Sequence, residues 1–170
     1  MSVTLRYSGS LPDLGRLPRL KEDFLDIAAT HAWPVDVLEA VAAETAGKRS
    51  RGTRTLAPAP AIQGLKIYVH PQTDPLWLTF DAEGAITRLG SYPLAQVSRD
   101  GSDVSSRYGF LHQSQASMQT SIGGFELHFA VVGLLDYLKR AYIPNLQVLD
   151  ESGYWERRDQ DALKRLMAGF

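Results

Sequence analysis

Residues 108–124 read YGFLHQSQASMQTSIGG and residues 125–142 read FELHFAVVGLLDYLKRAY. The fold is decided where these two stretches meet. From Tyr108 to Phe125 there is no Asp, Glu, Lys or Arg. At period two, Phe110, His112, Ala116, Met118, Thr120 and Ile122 share one face, and Leu111, Gln113, Gln115, Ser117, Gln119 and Ser121 share the other. That alternation predicts one long strand with a core face and an amide and hydroxyl face. Gly123-Gly124 then opens an apolar helix ending near Tyr142, with Pro144 beyond it. The helical stretch carries Glu126, His128, Asp136, Lys139 and Arg140. A lipid-spanning helix needs about 20 mostly uncharged residues, so this one is expected to be buried in a protein core.

Strand signals continue on both sides. Upstream, residues 65–69 and 76–80 are β-rich, and Asp81-Ala82-Glu83-Gly84 turns the chain into residues 85–89. Downstream, residues 146–149 read as a strand, Asp150-Glu151-Ser152-Gly153 as a turn and Tyr154-Trp155-Glu156 as a short return strand. Asp159 caps a final helix through Leu163, Leu166 and Met167. At the other end, Val3, Leu5 and Tyr7 alternate with Thr4 and Arg6 as a half-buried strand. Pro18 suits the first turn of a helix that carries Leu20, Phe24, Ile27 and His31 and stops at Trp33-Pro34. A second helix is expected over residues 36–46, with Asp36 and Glu39 as a capping box and Gly47 at its end. Residues 48–61 have no periodicity and read as a loop. Strands cluster in runs joined by short turns instead of alternating with helices. The expectation is an α+β fold: a single domain over residues 1–170, with a mainly antiparallel sheet of five to six strands backed by three to four helices.

Composition narrows the function classes. The chain has 170 residues, 44% hydrophobic and 22% charged, an ordinary globular balance. Eighteen Lys plus Arg against nineteen Asp plus Glu argue against a dedicated nucleic-acid binder. With no cysteine, disulfides, thiolate metal sites and cysteine nucleophiles are excluded. The opening Met1-Ser2-Val3-Thr4-Leu5-Arg6 has no apolar run of the length a secretion signal requires, so a cytoplasmic protein without a membrane segment is expected. Motifs for zinc hydrolases, nucleophile elbows, phosphate loops, dinucleotide sites and EF-hands do not occur. Neither a cofactor nor a metal is therefore expected.

The remaining chemistry is sparse. Of the four histidines, His31 and His112 are expected at a core margin. Glu126 and His128, two apart on a helix, diverge by about 200° and cannot chelate together. Ser121-Ile122-Gly123-Gly124 could offer N–H groups to an anion, but Glu126 in the first turn opposes that, and a tight strand-to-helix turn is the expectation. Residues 150–159 mix aromatics with both charge signs, and Tyr154, Trp155, Glu156, Arg157 and Arg158 form the leading candidate contact surface. The cationic loop with Arg49, Arg51 and Arg54 is the second.

Together these features lead to a small protein that acts by binding another protein, of the inhibitor or toxin-neutralising immunity type. The competing expectation is a hydrolase or transferase. In it His112 or His128 is the general base, and Asp150 or Glu151 orients it or acts as the acid. A third is self-association through a neutral strand at residues 108–122.

Overall fold

The computed structural model describes residues 2–41, 62–93, 108–113 and 115–170. It shows an α+β fold whose strands all pair antiparallel. β1 (Thr4–Ser8) buries Leu5 and Tyr7 and turns Thr4 and Arg6 outward, as the alternation requires. Asp13 accepts the Gly15 N–H at 2.8 Å in a short turn that leads into α1 (Leu17–Thr30). Pro18 sits in the first turn of α1, and Leu17, Leu20, Phe24 and Ala28 form its buried stripe.

The helix expected over residues 36–46 is not there. Residues Val35–Val41 form β2, which pairs with β3 (Ile62–Ile67) in the register Asp36↔Lys66. β-branched Val35, Val37 and Val41 favour the pleated state. The Asp36 carboxylate accepts the Tyr68 hydroxyl at 2.8 Å, a partner 32 residues away that local sequence pattern does not reveal. Pairing across the sheet thus wins over a local capping signal. The expected end of that helix and the loop over 48–61, with Arg49, Arg51 and Arg54, lie outside the described residues.

β4 (Leu76–Phe80) completes a sheet in the order β2-β3-β4, and β5 (Arg88–Pro93) pairs with β6 (Tyr108–Gln113). β7 (Ala116–Gln119) and β8 (Gln147–Asp150) flank β1 in the order β7-β1-β8. The single strand expected over residues 108–122 is therefore two strands in two different sheets. Ala116, Met118 and Thr120 do face the core, while Ile122 has already left the strand and is exposed. The Tyr7 hydroxyl stitches two sheets together: it donates to the Trp77 carbonyl at 2.7 Å and accepts the Trp77 N–H at 2.9 Å. Burial raises the ionisation of this phenol far above its ordinary value.

α2 (Gly124–Ala141) is the central helix. It buries Leu127, His128, Val131, Val132, Leu134, Leu135 and Leu138. By length and composition alone it could cross a membrane, but this apolar face belongs to one core cluster with β1, α1, β3, β4 and β7. A Cβ at Gly123 would collide with the Leu127 side chain, and Gly124 adopts φ +68°. The glycine pair therefore makes the tight strand-to-helix turn. After β8 the expected return strand is instead a single helical turn, α3 (Tyr154–Arg157), followed by α4 (Gln160–Met167) with Asp159 capping the Ala162 N–H at 2.9 Å.

Candidate functional site

The site starts from strand alternation at the end of β8. Asp150 pairs with Leu5 and turns its carboxylate inward; Glu151 turns outward, to the Arg6 guanidinium at 3.0 Å and the Thr4 N–H at 2.9 Å. Asp150 Oδ1 accepts the Ser152 N–H at 2.8 Å and the Ser152 hydroxyl at 2.7 Å. Its Oδ2 accepts the Trp155 N–H at 2.9 Å and faces His128 Nε2 at 3.1 Å. Four donors fill the roughly four lone-pair positions of an ionised carboxylate. These bonds bend residues 150–155 into a turn, which explains why Tyr154-Trp155-Glu156 is helical and not extended. Burial alone raises the Asp150 pKa. The bonds from His128 and Ser152, with the Trp155 N–H, outweigh it and hold Asp150 at about 2.

The carboxylate fixes the imidazole. Asp150, an acceptor, calls for a proton on Nε2, and Nδ1 lies within hydrogen-bond distance of the Thr120 hydroxyl, at 2.8 Å. The Thr120 hydroxyl also lies 3.4 Å from the Val3 carbonyl. Ser152 Oγ lies 3.1 Å from Nε2 and accepts the Tyr154 N–H at 3.1 Å. The side chains of both His128 and Asp150 are 0% exposed.

The order Thr120–His128–Asp150 is that of nucleophile, base and orienting acid. Thr120, however, is fully buried along with its base. Ser152 approaches the nitrogen that the carboxylate already holds, whereas a nucleophilic serine needs the other one. In this conformation the network ties together the end of β7, α2, β8 and α3. The sequence pointed to His128 and Asp150 but not to Thr120 or Ser152. An Asp-x-Ser-Gly turn, whose side chains bond the backbone two residues on, was the available signal.

Above the network, Tyr154 is buried, its ring 6.2 Å from His128 and 6.1 Å from Phe129. Trp155 is half-buried, and the Arg158 guanidinium stacks over its indole at 4.7 Å. Arg158 also donates to the Trp155 carbonyl at 2.8 Å and to Asp136 of α2 at 3.2 Å. Arg157 donates to the Ser152 carbonyl at 2.8 Å, and Glu156 is exposed. A helical turn thus places Trp155 and Arg158 side by side, a pairing that strand alternation would have denied.

The other sequence candidates scatter. His112 pairs with Leu89 in β6, and its side chain lies outside the described residues. His31 is not at the core margin: it follows the last turn of α1, exposed and stacked on Trp33 at 4.4 Å. His70 Nδ1 accepts the Gln72 N–H at 3.2 Å. Glu126 is exposed where His128 is buried, as their divergence requires. Among the described residues no group of three or more His, Asp or Glu is placed to hold a metal ion.

One further cluster was missed by sequence reasoning because its members are far apart in the chain. Asp23 of α1 accepts the hydroxyls of Tyr137, at 3.0 Å, and of Tyr142, with Arg19 Nε at 3.4 Å from the other oxygen. The Tyr142 hydroxyl bond, ahead of that from Tyr137, lowers the Asp23 pKa; burial, then Asp23, pushes Tyr142 up to about 12. Comparison of the chain with family models, curated proteins and solved structures returns no match.

Proposed function

We propose that this protein acts by binding another protein through the turn at residues 153–158, in the manner of an inhibitor or a toxin-neutralising immunity protein. One observation carries the reading. The four-donor shell of Asp150 fixes the backbone beneath a stacked Trp155–Arg158 pair. Tryptophan and arginine dominate binding hot spots, and a surface already rigid in the free protein loses less entropy on association. In this reading the histidine and carboxylate considered as catalytic candidates support the contact surface from below.

The test is an unbiased pull-down with wild type beside Trp155→Ala and Arg158→Ala, with circular dichroism confirming that the variants fold. Partners should be retained by wild type and lost by both variants, because each truncation at a hot spot costs about 2 kcal/mol, or roughly thirtyfold in affinity. Equal recovery by all three proteins would remove this surface from consideration.

A second reading, a hydrolase or transferase with His128 as base, is favoured by the Thr120–His128–Asp150 order alone. It requires a state in which Thr120 is open to solvent. Hydrogen exchange that leaves the 120–128 and 150–155 amides protected up to global unfolding would argue against that state.

A further inference from the structure

The exposed side of α2 has a symmetry that its core face does not need. Gly133 lies at the middle of the helix, exposed, and a Cβ there would meet nothing within 4 Å. Glycine is the poorest interior helix former after proline, so nothing in the single chain favours it at this position. Seven residues before it stands Glu126, and seven residues after it Arg140, both exposed. Seven residues is close to two full turns, so both charges lie within about 20° of the glycine around the helix and about 10 Å to either side along it. One turn before the glycine, Phe129 is 40% exposed with Phe125 stacked on it at 5.5 Å. One turn after it comes Tyr137, half-buried.

We infer that this stripe docks on a second copy of the chain, α2 against α2 in antiparallel orientation, with a two-fold axis at Gly133. Antiparallel pairing about residue 133 sets position 126 against 140 and position 129 against 137. Glu126 of each copy then faces Arg140 of the other, twice over. Phe129 and Tyr137 flank the centre, and the missing Cβ lets the helix backbones approach closely. The charge pattern reads the same from either copy, which is the complementarity a two-fold interface needs. Arg140 at present spans to Asp136 at 3.5 Å with its side chain 71% exposed, a pairing of the kind that exchanges at little cost. Self-association through a strand over residues 108–122 was the third expectation; this places it instead on a face of α2 that borders the Trp155–Arg158 turn, since Asp136 pairs with both Arg140 and Arg158 and Phe129 packs near Tyr154.

Sedimentation equilibrium tests this directly, with dimer expected at about 100 µM, since a single helix-face contact is small and its affinity on the order of micromolar. Glu126→Arg and Arg140→Glu should each weaken the dimer about tenfold or more, and combining the two should restore it to within about threefold. Gly133→Gln should leave a folded monomer. Because the natural chain has no cysteine, Gly133→Cys supplies a unique thiol on the proposed axis and should cross-link under mild oxidation, while Thr30→Cys at the exposed end of α1 should not. A monomer at every concentration, a dimer indifferent to the charge exchange, or equal cross-linking of the two cysteine variants would overturn the inference. Partner capture by the turn at 153–158 is read separately with Gly133→Gln, which leaves Asp136 and its bond to Arg158 in place.

Discussion

Asp150 and Asp23 each tie a neighbouring element to α2, the first near the helix start through His128 and the second near its end through Tyr137 and Tyr142. Their surroundings differ. The Asp150 side chain is 0% exposed and meets four donors; that of Asp23 is 23% exposed and meets two phenols and one guanidinium nitrogen. A carboxylate sealed from water needs every lone pair occupied, because an unpaired buried charge costs several kcal/mol. A carboxylate at the surface can leave part of its solvation to water. The first arrangement dictates local backbone, and the second joins helices already formed.

Removing the sealed carboxylate should therefore have the larger effect. Asp150→Ala leaves the His128 Nε2–H, the Ser152 hydroxyl and the N–H groups of Ser152 and Trp155 without their acceptor. A loss of about 3–5 kcal/mol is expected in urea unfolding monitored by circular dichroism. Asp23→Ala, measured the same way, should cost clearly less, since its former donors reach water. Equal losses would break the contrast between the two sites.

The pH dependence sharpens it. Asp150 titrates at about 2 in the folded chain against 3.8 for an ordinary aspartate. Its depressed value means that the stabilisation is complete above pH 3.8 and is lost as pH falls towards 2, a change on the order of 2 kcal/mol. The stability difference between wild type and Asp150→Ala should narrow by about 2 kcal/mol through that window, as read from urea unfolding at a series of pH values. Tyr142 has the opposite sign: raised from 10.0 to about 12, it favours the folded chain below pH 10 and ceases to do so as pH rises through 12. Phenolate absorbance should show late ionisation of Tyr142, and Asp23→Asn should move part of it to lower pH.

How much of this was legible in the sequence depends on how local each cause was. α1, α2 and α4 were readable because their apolar spacing and caps, such as Pro18 and Asp159, lie within a few residues. β2 was not, because Asp36 and Glu39 imitate a helix start while the deciding partners, Lys66 and Tyr68, come about thirty residues later. The turn at residues 154–157 was misread for a similar reason: the Tyr154 and Trp155 N–H groups bond to the side chains of Ser152 and the inward Asp150 instead of to a partner strand. His128 and Asp150 could be named as chemically interesting, yet their burial, and their partners Thr120 and Ser152, follow from which strands flank β1.

Gly123, just before α2, and Gly133, on its outer face, extend the contrast at the smallest scale. Gly123 sits against Leu127 where the helix enters the core, and Gly133 faces open space. Gly123→Ala should destabilise by about 1–2 kcal/mol, because Leu127 cannot move without disturbing a packed interior. Gly133→Ala should stabilise by about 0.5–1 kcal/mol, because alanine loses less backbone entropy on helix formation and meets no neighbour there. Thermal unfolding at protein concentrations too low for association isolates the single-chain effect. A lower midpoint for Gly133→Ala under those conditions would mean that the outer face of α2 is constrained within the monomer itself. The glycine would then serve the fold, and the wet side of the helix would obey the same packing rule as the dry one.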